Sequence, residues 1–185
     1  MGGTADRDAL VRLLLARSVE RGDFVLASGQ RSSYYIDCRK ATMSAEGQVL
    51  IGRMGYAAIR AAGWGVGAVG GLTMGADPVA YAIAGASWGS EPVLDAFSVR
   101  KEAKAHGTGR QIEGNFTPDA PVVVVEDVIT SGGSALKAIE AVTRAGGRVA
   151  GVFALVDREQ GGRAALEAAG HRVVTLLTTT DLGLK

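Results

Sequence analysis

The stretch VVVVEDVITSGGS, residues 122–134, decides the fold of this 185-residue chain. Its four consecutive valines, Val122 to Val125, are typical of a strand that is buried on both faces of a parallel sheet. Two adjacent carboxylates follow, and the chain then turns through Thr-Ser-Gly-Gly-Ser into a helical pattern. A buried strand that leads directly into a helix is half of a βαβ unit. The stretch therefore predicts an α/β fold.

The rest of the chain repeats this alternation of strand and helix. Because such alternation produces parallel strands with helical crossovers, we expect one domain over residues 1–185 with a central, mostly parallel sheet flanked by helices. Gly22 is expected to end the first helix, and a small N-terminal hood is expected mainly within residues 1–40. A polar segment at residues 100–115 shows no periodicity and predicts a long loop. Strand-like segments occur at residues 24–26, 34–36, 68–71, 93–99, 149–156 and 173–177, and helical patterns at 6–20, 44–63, 78–86, 134–145 and 163–169.

The composition excludes several classes of protein. The net charge is +1, from 20 basic and 19 acidic residues, so no overall field attracts nucleic acid or an anionic membrane. No segment approaches the roughly 18 apolar residues of a membrane span. The single cysteine, Cys38, allows no internal disulfide, and the N-terminal residues mix acids and bases unlike a signal peptide. We expect a cytoplasmic protein that binds neither nucleic acid nor membrane.

The turn after the valine strand predicts a phosphate site. Ligands bind at the carboxyl ends of the strands in open α/β sheets. Thr130, Ser131 and Ser134 supply hydroxyl groups, and the two glycines at 132 and 133 let backbone N–H groups approach an anion. The start of the following helix adds positive potential. This combination suits a dianionic phosphate.

The two acids before the turn predict a sugar beside that phosphate. Glu126 and Asp127 repel a phosphate, but adjacent carboxylates suit vicinal hydroxyl groups or a metal ion. A phosphate site joined to acceptors for a diol describes a ribose 5-phosphate. The alternative is an ordinary βα turn with a Gly-Ser cap. The lysine of a nucleotide-triphosphate loop is absent.

The polar segment after residue 99 concentrates positive charge. Arg100, Lys101 and Lys104 lie within five positions, with His106 two residues further on. Beside a phosphate site such a loop is suited to clamp a pyrophosphate. The alternative is a solvated charged loop with no role in binding.

Four segments carry a resemblance to a known family. Residues 122–134 resemble the phosphoribosyl-pyrophosphate (PRPP) signature of type I phosphoribosyltransferases. Residues 97–114, FSVRKEAKAHGTGRQIEG, resemble the mobile catalytic loop of the orotate phosphoribosyltransferases, and residues 155–162, LVDREQGG, resemble their orotate-contacting turn. Residues 28–39, SGQRSSYYIDCR, are similar to their N-terminal hood.

The resemblance implies an activity and a set of site residues. The activity is transfer of the ribose 5-phosphate of PRPP to orotate, giving orotidine 5′-phosphate and pyrophosphate in pyrimidine biosynthesis. It further implies Mg²⁺ carried by PRPP and waters without a protein cage, and a homodimer whose loop reaches the neighbouring site. Lys104, His106 and Asp127 are the implied catalytic residues. The implied PRPP-binding residues are Arg100, Lys101, Lys104, His106, Glu126, Asp127, Val128, Ile129, Thr130, Ser131, Gly132, Gly133 and Ser134, and the implied orotate-binding residues are Thr130, Arg158, Tyr34 and Tyr35.

The chain also departs from the family pattern. Some relatives carry lysines where Ala27 and Met74 stand here. We therefore expect the loop cations to carry more of the pyrophosphate charge, residues 70–77 to contribute backbone N–H groups, and Asp77 to contact metal-bound water. Two other functions share the PRPP signature, a phosphoribosyltransferase for another base and a PRPP-sensing regulator without catalysis. The cationic loop argues against the regulator.

Overall fold

A computed structural model describes residues 3–25, 31–102 and 110–185. Its centre is a six-stranded sheet made of β3 (Ala68–Leu72), β4 (Asp95–Val99), β5 (Ile112–Gly114), β6 (Pro121–Ile129), β7 (Arg148–Asp157) and β8 (Val173–Thr178). The strand order is β5-β4-β3-β6-β7-β8, and every neighbouring pair is parallel except β4 with β5. The helices are α1 (Thr4–Arg17), α2 (Arg39–Thr42), α3 (Ala45–Ala61), α4 (Ala76–Ser87), α5 (Gly133–Arg144) and α6 (Gly162–Ala168). The α/β prediction is confirmed.

The valines of β6 explain why the sheet is covered on both faces. Val123 and Val125 belong to one apolar cluster, with residues of α1, α3 and α4, whereas Val122 and Val124 belong to a second cluster with α5. All four side chains are fully buried. Since a buried valine stabilises a fold by roughly 1.5–3 kcal/mol, the strand anchors both layers.

A separate two-stranded sheet forms the described part of the hood. β1 (Val19–Val25) pairs antiparallel with β2 (Arg31–Ile36). The expected end of the first helix is wrong: α1 ends at Arg17, and Gly22 lies within β1. The buried stripe of Leu10, Leu13 and Leu14 has no apolar successor one turn later, so nothing holds a further turn against the core.

Two further differences concern the segments next to the cleft. Residues 112–114 form β5 on the sheet edge, although the sequence predicted a loop there; three residues are too short to show a strand period. β6 also continues past both carboxylates to Ile129 rather than ending at them. No helix in the described part of the chain is long and apolar enough to cross a membrane.

Candidate active site

A cleft of about 680 Å³ opens at the carboxyl ends of β3, β6 and β7. Because the ends of parallel strands meet at one edge of the sheet, this edge collects residues that are distant in sequence. The hood forms the facing wall through Tyr35 and residues 36–39. The cleft is lined by three carboxyl groups, those of Asp37, Glu126 and Asp127, by three cations, Arg39, Lys101 and Arg158, and by the hydroxyl groups of Thr130, Ser131 and Ser134.

The two acids at the end of β6 are buried acceptors. Glu126 is 6% exposed, and its Oε1 atom has no hydrogen-bond partner among the described residues. Burial, together with the charge of Asp127, raises the pKa of Glu126 to about 8. Asp127 accepts a hydrogen bond at Oδ1 from the N–H of Val128 (2.9 Å), and burial raises its pKa. The pair can accept hydrogen bonds from two hydroxyl groups.

Glycine is required at position 75 so that Asp127 fits. A Cβ atom built at Gly75 would lie 2.6 Å from the Oδ1 atom of Asp127. This turn therefore packs its bare backbone against the carboxylate, and α4 begins directly after it. The turn and the acid form one wall of the cleft.

The turn after β6 has the shape of an anion site. Gly132 has φ +81°, in the left-handed region that favours glycine, and a Cβ atom there would lie 3.0 Å from the carbonyl oxygen of Gly162. α5 begins at Gly133, and no side chain among the described residues caps its first N–H groups. A second cavity, of about 80 Å³, lies against Thr130, Ser131, Gly132, Gly133 and Ser134. A phosphate there would satisfy the open N–H groups.

Arg158 is a buried cation without a counterion in the part of the chain that the structure describes. The residue is 6% exposed, and its Nε and Nη2 atoms have no hydrogen-bond partner among the described residues. Its Cζ atom lies 5.2 Å from the ring centroid of Tyr34, which is buried. A guanidinium in this setting needs an anionic ligand, and its planar fork fits a carboxylate.

Hydrogen bonds hold the backbone around Arg158 in place. The N–H of Arg158 donates to the carbonyl of Ile129 (2.9 Å), and the carbonyl oxygen of Arg158 lies 3.1 Å from Thr179 Oγ1. Glu159 accepts from the hydroxyl groups of Thr179 and Thr180 (both 2.8 Å), and these bonds lower its pKa to about 2. The neighbouring acids are thus occupied elsewhere, and an ion pair between Arg158 and Glu159 does not form.

The structure brings most, but not all, of the predicted residues together. Tyr35 is 41% exposed on the cleft and packs on Phe24, with 5.8 Å between the ring centroids. Arg100 donates from Nε to Glu113 (3.1 Å) and does not line the cleft of its own chain, since the backbone pairing of residues 99 and 112 turns it toward that carboxylate. Its expected contact with PRPP in the neighbouring site stays a prediction. Lys104 and His106 lie outside the described residues.

Sequence reasoning missed two residues on the hood wall. Asp37 and Arg39 line the cleft and are joined by two hydrogen bonds, from Arg39 Nε to Oδ1 (2.8 Å) and from Nη2 to Oδ2 (3.0 Å). Their spacing, an acid and a base two residues apart, is common on protein surfaces and carries no signal of its own. Only the position of the hood shows that they face a ligand site.

Comparison with known proteins gives consistent results, although no protein-family model matches the chain. It is 45% identical over 188 residues to the orotate phosphoribosyltransferase of Rhodopirellula baltica, covering 98% of this chain and 97% of that protein. The crystal structure of the Mycobacterium tuberculosis H37Rv orotate phosphoribosyltransferase with Fe(III) dicitrate has a TM-score of 0.86 and 46% identity, covering 97% of this chain and 99% of the other. The structure of the same protein with PRPP has a TM-score of 0.80 and 42% identity over the same shares.

Proposed function

The chain belongs to the orotate phosphoribosyltransferase family, and we propose that the cleft transfers the ribose 5-phosphate of PRPP to orotate in cytoplasmic de novo pyrimidine synthesis. The single observation that carries this proposal is the buried guanidinium of Arg158, which has no partner among the described residues. It lines the same cleft as the residues of the anion site. Orotate has the carboxylate that this cation lacks. The products are orotidine 5′-phosphate and pyrophosphate.

The 5-phosphate, the ribose and the base are each assigned to different residues of the cleft. The 5-phosphate binds at residues 130–134, where the N–H groups at the start of α5 are open. The ribose hydroxyl groups donate to Glu126 and Asp127. The carboxylate of orotate pairs with Arg158, whose guanidinium lies over the ring of Tyr34.

The chemistry is a displacement at the anomeric carbon. A bond forms from a ring nitrogen of orotate to that carbon, and the bond from the carbon to the pyrophosphate oxygen breaks with its electron pair. Positive charge develops on the ribosyl ring, where the carboxylate of Asp127 favours it. Negative charge develops on the leaving pyrophosphate, and we assign its neutralisation to Lys104, assisted by His106 and Arg100.

Magnesium is proposed to enter with PRPP. Among the described residues, no three His, Cys, Asp or Glu side chains lie close enough together to hold a metal ion. Asp37 and Asp127 do line the cleft with carboxylate oxygens. Asp77, at the start of α4, has a buried Oδ1 atom with no hydrogen-bond partner among the described residues. Isolated oxygens suit a Mg²⁺ that keeps its waters and phosphate ligands. When bound, the ion would supply charge neutralisation on the pyrophosphate.

A comparison of two bases tests the function. With PRPP and Mg²⁺ present, we expect loss of orotate absorbance and release of pyrophosphate. Uracil, which has the same ring without the carboxylate, is expected to react at least about 100-fold less efficiently, because Arg158 would stay unpaired. Equal turnover of the two bases would contradict the assignment of orotate.

We also propose that two copies form the working enzyme, each supplying its loop of residues 100–115 to the other's cleft. An apolar face that could join them is present, since Val49 and Tyr81, both about half exposed, line a groove of about 390 Å³ between α3 and α4. Mixing inactive Lys104→Ala and Asp127→Asn chains should restore roughly a quarter of wild-type activity, because half of random pairs contain one complete site of two. Exchanged mixtures that stay inactive would contradict shared sites.

A further inference from the structure

The cleft wall next to β3 lacks a side-chain charge of its own. Residues 73–75 form this wall, and the side chain in the middle of the turn is Met74, which is 60% exposed. The hood supplies what faces it. Arg39 begins α2, which packs against α4, and lines the same cleft.

Strand order separates the two ends of the substrate. β3 and β7 are the two neighbours of β6, and neighbouring strands lie about 4.8 Å apart, so their ends flank the cleft at about 10 Å. Arg158 follows β7, and the ribose acceptors stand on β6. In a displacement, the incoming base and the leaving group lie on opposite sides of the reacting carbon. With the base on the β7 side, the pyrophosphate lies on the β3 side, against residues 73–75 and Arg39.

The guanidinium of Arg39 is oriented before any ligand arrives. Of its five N–H donors, two are held by the carboxylate of Asp37, which leaves three. The side chain is 48% exposed, so the free donors are accessible. Its charge also acts at the acidic pair, since it partly offsets the rise in the pKa of Asp127 that burial causes.

We propose that Arg39, oriented by Asp37, binds the pyrophosphate group of PRPP from the hood side and supplies the charge that the turn at residues 73–75 lacks. The proposal rests on the proposed function, because it requires PRPP in this cleft. It makes Arg39 a binding residue for the leaving group, distinct from the loop cations. Arg158 serves the base, and Arg39 serves the group that the base replaces.

Calorimetry with two ligands tests the proposal. Arg39→Gln is expected to weaken PRPP binding roughly 10-fold or more, the loss typical of a hydrogen-bonded charge. Binding of ribose 5-phosphate, which has no pyrophosphate, is expected to stay within about twofold, since its contacts lie on β6 and α5. Lys40→Gln is the matched control, because the neighbouring cation pairs with Glu20 (2.5 Å) and does not line the cleft.

A second variant keeps the test decisive if the first folds poorly. Arg39→Lys keeps the charge without the fork and is expected to lose part of the PRPP affinity and none of the ribose 5-phosphate affinity. Unchanged PRPP binding, or an equal loss for both ligands, overturns the role of Arg39 while leaving the enzyme assignment intact. A wild-type protein that fails to bind PRPP at all overturns both.

Discussion

The ends of β6 and β7 both bury charge in the cleft, but the two charges differ in whether they can be given up. Glu126 on β6 keeps an oxygen without a partner among the described residues, and its pKa is raised to about 8. At neutral pH it can therefore relieve its burial by holding a proton. Arg158 after β7 has no such route, because a guanidinium stays charged at any physiological pH.

The difference shows which half of the cleft depends more on its ligand. A buried ion without a counterion is destabilising, and for Arg158 the cost persists until an anion arrives. Tyr34 reduces this cost through its ring face, but this contact gives the Nε and Nη2 atoms of Arg158 no hydrogen-bond acceptor. Glu126 can therefore lose its charge by protonation, whereas Arg158 depends on an anionic ligand. The two following predictions test this contrast.

The largest expected effect comes from Arg158→Gln. We expect kcat/KM for orotate to fall about 100- to 1000-fold, because the carboxylate would be buried without its cation. PRPP affinity should change only a few-fold, since Arg158 is assigned to the base and the residues proposed to bind PRPP lie elsewhere in the chain. The preference for orotate over uracil should shrink by a similar factor, which steady-state kinetics with both bases measures.

The control for this variant is Arg163→Gln. Arg163 is exposed on α6 and pairs with Glu167 (2.8 Å), so its loss should leave both substrates unaffected. If Arg158→Gln retained the wild-type preference for orotate, the basic end of the cleft would not be the site of base recognition.

A second effect, on stability and dependent on pH, is expected at Glu126. Its pKa is about 8 in the folded chain and near 4.5 when unfolded, so between these values only the folded state holds the proton. The contribution of Glu126 to stability is therefore complete below pH 4.5 and is lost as pH rises toward 8. Glu126→Gln should match the wild type near pH 5 and exceed its unfolding free energy at pH 8 by about 3 kcal/mol.

Denaturant titrations of the free protein at both pH values measure this difference. Glu140→Gln, an exposed change on α5, is expected to shift stability little and equally at both values. A Glu126→Gln variant that is less stable than the wild type at pH 8 would show that the fold stabilises the ionised carboxylate. That result would contradict the rise in the pKa of Glu126 that its burial causes.

The sequence predicted the parts of the fold that repeat a simple period. The four valines of β6 are a local signal, and the buried strand that they predict is confirmed. The helical pattern at residues 44–63 is confirmed by α3, which Ser44 caps by accepting from the N–H of Gly47 (3.1 Å). β5 could not be predicted, because its three residues gain their structure only by pairing with β4. The end of α1 was misplaced because a glycine in a strand reads as a helix stop.

The site was predictable where one segment carries it and not where the fold assembles it. The two acids and the phosphate turn occupy one continuous segment, residues 126–134, so their roles can be predicted from the sequence alone. Arg39 and Glu159 gain meaning only through long-range contacts, with the cleft wall and with Thr179 and Thr180. The pairing of Arg100 with Glu113 likewise arises only when β5 lies beside β4.

The hood has its own sheet, and this gives the two halves of the cleft different freedom to fluctuate. In the described part of the chain, no backbone ladder joins β1 and β2 to the six-stranded sheet. Lifting the hairpin would separate Tyr34 from Arg158 while every ladder bond of β6 stays formed. Local opening at the base side can thus occur without breaking the strand pairing that positions the 5-phosphate turn. The time for which a base stays bound can be set by hood packing alone, without loosening the grip on the sugar phosphate.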